Sequence, residues 1–316
     1  MLDTLVTTLN QMLFLFFFIL AGYLLSRFNA VDKNISSSLS KLINWLFTPA
    51  LMMKTFAENF VPDRLREYAP YLLLCLIVLA IVIPLAIVLS RLISRPGIER
   101  RTFTYSFIIT NSGFLGYPLI EAVFGAEILL KYMIFNIPTN VFIYTVGMSM
   151  FRSDEPTHFN VKELKGLVNP PLIAIPIGIL IGLFQIKLPT VVNSILVSSA
   201  DCMAPMAMLM TGIVLSKHRI REAFTNWRYY CASLIRLILI PAIFLGLFML
   251  CRLFMPVPSE WILVALVFLC LPLGLNAVVF PEYYGRDGTV GAHANLISNI
   301  FGLITIPIAF ALLSLL

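Results

Sequence analysis

Two segments combine polar residues with helix breakers inside otherwise apolar runs: Asn111-Ser112-Gly113-Phe114-Leu115-Gly116-Tyr117-Pro118 and Leu271-Pro272-Leu273-Gly274-Leu275-Asn276. Proline lacks an N–H and clashes with the preceding turn, and glycine weakens a helix. In hydrocarbon, the N–H and C=O groups freed by such a break are costly unless they line a cavity or pack within protein. A break also starts a new half-helix, whose first N–H groups and positive dipole end favour an anion. Asn111 and Asn276 would add neutral donors. The chemistry open to these residue types is therefore reception of a negatively charged ligand, with Asn111, Gly113, Gly116, Pro118, Pro272, Gly274 and Asn276 as candidate contacts. Gly and Pro also serve simple packing in membrane helices. Two such segments at matching places favour one shared site.

Ionisable residues inside apolar runs are the next candidates. Asp201 lies four residues before Pro205, where it can couple a proton, form an ion pair or act as a buried structural acid. Lys54, five residues after Pro49, can snorkel to the surface, pair with Asp201 or attract an anion. Arg236, about two turns into its run, reads as a snorkelling side chain, and Glu121 is expected to reach the outer interface. Asn136 and Asn140, and likewise Asn295 and Asn299, are one helical turn apart and share a face, for hydrogen bonding between helices or for lining a cavity. The five cysteines form no CxxC pair and no His cluster accompanies them, so neither a metal nor another cofactor is expected. No HExxH, paired-Asp, GxSxG or Walker pattern occurs, which argues against an enzyme and against direct ATP drive.

These residues are positioned by apolar helices. Of the 316 residues 59% are hydrophobic and only 12% charged, against roughly 25% charged in a soluble domain. So little charge cannot cover a soluble fold of this length, whereas a lipid bilayer carries no penalty for an apolar exterior. The net charge of +6 comes from basic residues in short groups between apolar runs, which excludes a nucleic-acid-binding face. The N-terminus lacks a signal-peptide pattern, so the first apolar run is expected to remain as a span. At about 20 residues per crossing, ten spans are predicted: 9–26, 40–58, 69–90, 103–124, 132–151, 168–186, 192–216, 229–251, 261–281 and 289–314. Trp45, Trp227 and Trp261 sit at predicted interfaces as anchors. With this count, fifteen Lys and Arg fall in links on one face and five on the other, which puts the richer face in the cytoplasm and both termini outside.

Ten spans divide into a first repeat at 1–151, a cytoplasmic linker at 152–167 and a second repeat at 168–316. An odd number of spans per half inverts the second relative to the first. Weak internal similarity agrees: Phe124-Gly125-Ala126-Glu127 is followed by Asn136 and Asn140, and Tyr284-Gly285-Arg286-Asp287 by Asn295 and Asn299. The second and seventh spans each hold a central proline, Pro49 and Pro205. Inverted repeats with interrupted helices are a transporter signature. The expected fold is thus an all-α integral membrane protein of ten helices in two inverted five-helix repeats, with broken crossover helices 4 and 9.

The pattern N-x-x-x-x-G-x-P at Asn111–Pro118, the pattern L-P-x-G at Leu271–Gly274 followed by Val279-Phe280, and the run Asp201 to Gly212 with Met206-Ala207-Met208 resemble the auxin efflux carrier family. That family includes plant auxin exporters and bacterial malonate or malate permeases, and the resemblance spans nearly the whole chain. It implies crossing of helices four and nine at the substrate and transport of carboxylate anions. The long cytosolic loop of many plant members is absent, and Asn276 stands where plant carriers often have an apolar residue. A small, polar dicarboxylate such as malonate or malate is therefore favoured over an indole acid. The expected function is a secondary carrier for a small organic anion in the cell inner (plasma) membrane, with direction, coupling ion and assembly state, a homodimer among them, left open. A sodium-coupled symporter of the bile-acid-carrier type is the alternative, and an intramembrane enzyme a remote one.

Overall fold

A computed structural model describes residues 1–32, 35–60, 62–152 and 169–315. The expected linker at 152–167 lies outside the described residues except for Arg152, as does Lys33 of the charge tally. Among the described residues, six helical stretches are long and apolar enough to cross a bilayer: Leu2–Arg27, Pro62–Ile93, Ser112–Gly147, Thr190–Ser216, Trp227–Phe254 and Thr289–Leu313. The first has 26 residues, about 39 Å at about 1.5 Å per residue, against a hydrocarbon core of about 30 Å. The remaining predicted spans coincide with helices that are shorter, interrupted or more polar, so length and hydropathy do not by themselves carry a count of ten.

In chain order the helices are α1 (Leu2–Arg27), α2 (Ile35–Leu42), α3 (Thr48–Asn59), α4 (Leu65–Ile93), α5 (Ile98–Ile108), α6 (Tyr117–Phe142), α7 (Pro170–Leu183), α8 (Thr190–Ser216), α9 (Ile220–Ala223), α10 (Trp227–Leu234), α11 (Ile240–Phe254), α12 (Ser259–Cys270), α13 (Asn276–Tyr283) and α14 (Thr289–Leu313). Single π turns join α2 to α3 at Ile43–Phe47 and α10 to α11 at Ile235–Leu239. Within α6 the backbone leaves helical geometry at Gly125, with φ 82° and ψ 173°.

The helices are apolar on nearly all sides, as lipid-solvated helices should be. On α1, Met12, Leu15 and Ile19 recur at helical spacing and are buried, while Leu13, Phe14, Phe17 and Leu20 point outward. In one group α1 packs along α8, and α3 along α7 and α8. In the other, α4 packs on α5 and α6, α10 on α14, and α12 on α11, α14 and α6. The groups meet chiefly where α1 touches α14 and α6, and where α3 touches α6. The ends of α7 follow ordinary capping chemistry: Asn169 Oδ1 accepts from Leu172 N at 3.0 Å, and Pro170 and Pro171 occupy the first turn, where a missing N–H is harmless.

Candidate functional site

Both expected breaks are present, and they touch. Helix α5 ends at Ile108, Ile109 is extended, and helix resumes through a π turn at Ser112–Gly116. Helix α12 ends at Cys270, Leu271 is extended, and α13 begins at Asn276. Pro272 accounts for the second interruption, since it disfavours helical geometry at Leu271 and cannot donate. The two non-helical segments cross as a short antiparallel bridge between Thr110 and Leu273, and Asn111 N donates to Pro272 O at 2.9 Å. A side-chain carbon on Gly274 would stand 3.0 Å from Thr110 O, so this crossing needs a residue without one.

The freed backbone groups find partners. Leu273 N donates to Ser298 Oγ at 3.2 Å, and Asn295 Nδ2 donates to Leu273 O at 2.6 Å. Asn299 Nδ2 donates to Asn295 Oδ1 at 2.9 Å and so fixes the orientation of that amide. The carbonyls at the ends of α5 and α12 are taken by Arg236, whose Nη1 reaches Phe107 O at 2.9 Å and whose Nη2 reaches Phe268 O at 3.2 Å.

Beside the crossing lies a cavity of about 380 Å³. Thr110, Asn111, Ser112, Gly113 and Phe114 supply one wall, Gly274, Leu275 and Asn276 another, and Tyr117, Asn140 and Tyr144 add polar groups beside them. The first N–H groups of a helix have no partner within it, and here the resumed helices begin on the cavity wall. Asn111 is 3% exposed, and its Nδ2 is buried with no hydrogen-bond partner, as is Thr110 Oγ1. No Asp, Glu, Lys or Arg lines the cavity among the described residues. Ser40, Met148 and Asn169, which are near in sequence to links rich in Lys and Arg, also line it.

Of the residues singled out in the sequence, Asn111, Gly113, Gly274, Asn276 and Asn140 are on this wall. Gly116, Pro118 and Pro272 are not: Gly116 packs against Leu271 Cδ1, Pro272 is consumed in the crossing, and Pro118 lines a second pocket. Asn136 and Asn295 are wholly buried and Asn299 nearly so; Asn295 holds the broken segment at Leu273, Asn299 bonds Asn295, Asn136 bonds Tyr132 O one turn back in its own helix, and none of the three lines the cavity.

The second pocket, of about 280 Å³, includes Gln11, Pro118, Glu121 and Asp201, and Met203 belongs to the walls of both pockets. Lys54 Nζ stands 3.7 Å from Glu121 Oε1 and 3.7 Å from Asp201 Oδ1. Lys54 is thus paired rather than turned to the surface. Asp201 is not a buried acid, since its side chain is 67% exposed. Arg236, expected to snorkel, has no exposed surface at all. Sequence reasoning also missed Lys131, which is buried against Glu127 at 3.1 Å and Glu260 at 2.9 Å and joins the kink of α6 to the start of α12.

Comparison with known proteins places the chain among membrane transporters. A curated relative from Methanothermobacter thermautotrophicus, described as an uncharacterized transporter, is 22% identical over 212 residues, covering 66% of this chain and 68% of the relative. Residues 7–163 and 157–310 match the family model described as membrane transport protein. The chain therefore belongs to that membrane transport family, the family of the auxin efflux carriers, and is a multi-pass membrane transporter.

Proposed function

We propose that the protein is a secondary carrier of a small organic carboxylate, which it binds where the two broken segments cross. The observation that carries this reading is the buried, unpartnered amide of Asn111 on a cavity wall that also holds the starts of two half-helices. Amide donors and helix N-termini are what a carboxylate needs. The absence of charged side chains from that wall, among the described residues, favours a species with one negative charge over a dianion, because a second charge would be desolvated without a counter-ion. Malonate and malate remain candidates in their singly protonated forms, beside monocarboxylates.

We further read the chain as ten spans in two inverted halves, 1–151 and 168–316. Paired features support this. The breaks recur, Gly125 and Gly285 both have positive φ, and each is followed by a helix with an Asn pair. Packing recurs too. If spans are numbered along the chain, first with seventh (α1 on α8) matches second with sixth (α3 on α7), and third with fifth (α4 on α6) matches eighth with tenth (α10 on α14). Exchanging the halves converts one set into the other. The charge asymmetry supports a cytoplasmic cavity mouth, both termini outside, and location in the cell inner membrane. This is the inward-facing half of an alternating-access cycle.

Proteoliposome transport tests the reading. N111A and N276A should each lower uptake of labelled malonate or a monocarboxylate by about tenfold or more, the effect of losing a hydrogen bond to a charged group, with unfolding temperatures close to that of the parent. Dicarboxylate uptake should rise as pH falls, in step with the monoanion. Unchanged uptake in both variants would remove the crossing as the binding site.

A further inference from the structure

Arg236 is the largest fully buried side chain among the described residues, and no ion pair among those residues includes it. An unpaired buried charge is normally very costly, so its surroundings must compensate it. They do so with carbonyls: Nη1 donates to Phe107 O at 2.9 Å, Nη2 to Phe268 O at 3.2 Å and Nε to Leu271 O at 3.4 Å. The guanidinium also lies over the Phe268 ring, 5.8 Å from its centroid. Phe107 and Phe268 belong to the last turns of α5 and α12, where Phe268 O accepts only a long 3.5 Å bond from the capping Leu271 N and Phe107 O lies where the helix supplies no donor. Each helix C-terminus carries roughly half a negative charge, so two of them balance one guanidinium. The π turn at Ile235–Leu239 is the local distortion on which Arg236 sits.

Converging carbonyls at the negative ends of broken helices are otherwise ligands for a metal cation. We infer that Arg236 is a tethered cation that takes the place of a bound sodium ion at the crossing, so that this carrier holds its broken helices together, and turns over, without sodium. The inference rests on the crossover reading of the carrier and assigns Arg236 as a positioning residue. It also accounts for the planar side chain: three donors in a fixed fork reach carbonyls from two helices, which a single ammonium cannot match in full.

The test compares R236K, which keeps the charge, with R236M, which keeps only bulk. The first readout needs no substrate. The unfolding temperature of the purified parent should be the same in sodium chloride and choline chloride at equal ionic strength. R236M should unfold several degrees lower, a shift on the scale of a lost charged hydrogen bond, and millimolar guanidinium should restore part of it, with R236K falling between. The second readout is uptake of labelled malonate into proteoliposomes of phosphatidylethanolamine and phosphatidylglycerol. It should be indifferent to a sodium gradient in the parent and about tenfold or more higher in R236K than in R236M. A parent that is stabilised by sodium, or equal behaviour of R236K and R236M, overturns the inference. If no variant, nor the parent, transports any carboxylate tested while the stability pattern holds, the carboxylate reading fails and the role of Arg236 stands.

Discussion

Lys54 stands between two carboxylates from different helices, Glu121 of α6 and Asp201 of α8, at 3.7 Å from each. Asp201 is mostly exposed and both distances are long, so the two pairs together are worth about 1 kcal/mol or less. That is too little to hold the fold and enough to bias two conformations. Glu121 and Asp201 line the second pocket, which includes neither Ser40 nor Asn169 and shares Met203 with the first. K54M should therefore shift the carrier toward its outward-facing state by up to about fivefold, the equivalent of that energy. External maleimide labelling of M203C, in a background without native cysteines, would report the shift. An unchanged labelling rate, or loss of the folded protein, would show that the pairs are not a latch. Much of this residue-scale chemistry was legible in the sequence: Asn111, Asn276 and Asn140 reach the cavity wall, and the Lys54–Asp201 pairing was among the readings open to those residues. Arg236 was not legible, because an arginine two turns from a helix end carries no sign of whether its side chain turns to the surface or to carbonyls from two distant helices. For Asn295 and Asn299 the hydrogen-bonding reading holds and the cavity-lining one does not, a choice the sequence left open. Their spacing shows that they share a face but not that the face meets the broken backbone at Leu273.

At the scale of elements, the tightest packing is where α1 crosses α8. A carbon added to Gly212 would lie 1.9 Å from Ile19 O, and one added to Gly22 would lie 2.1 Å from Leu209 O. Both obstacles are backbone, which cannot rotate away. G212A should force the two helices apart and lower stability by about 1–3 kcal/mol, the usual cost of overpacking. Gly246 on α11 has nothing within 4 Å of the same added carbon, so G246A should be neutral or slightly stabilising in a helix. Thermal unfolding in detergent compares the two, and equal effects would mean that the α1–α8 crossing is not a constrained contact. The helix breaks were readable because Gly and Pro announce them chemically. The π turns at Ile43–Phe47 and Ile235–Leu239 were not, since neither contains a Gly or Pro to mark it. Span length misleads in the same way. Helix α12 has only 12 residues, about 18 Å at about 1.5 Å per residue, and reaches further only together with α13 beyond the break. The stretch 35–59 is helical throughout, yet Ser36, Ser37, Ser38, Lys41, Asn44 and Lys54 keep its hydropathy low.

For the whole molecule, the proposed inversion of the two halves would have a consequence beyond shape. If the halves are equivalent, the outward-facing state is reached when each adopts the arrangement the other now has, and positions related by the repeat exchange surroundings. Asn140 is 15 residues after Gly125, and Asn299 is 14 after Gly285, so the two correspond to within one residue. At present Asn140 lines the cavity on the Lys- and Arg-rich side, whereas Asn299 is 2% exposed and its Oδ1 has no partner. Exchange would open Asn299 to the opposite side of the membrane, where its free acceptor would meet water. N140C should thus react with an impermeant thiol reagent from the cytoplasmic side in inside-out vesicles. N299C should react from the outside, slowly in the parent and up to about fivefold faster when K54M weakens the outer contacts. Such coupling follows only if one motion joins the ion pairs of α3, α6 and α8 to the buried face of α14. Reaction of N299C from the cytoplasmic side, or from neither side at any setting of Lys54, would mean that the second half does not mirror the first in the transport cycle, however closely their breaks and packing correspond.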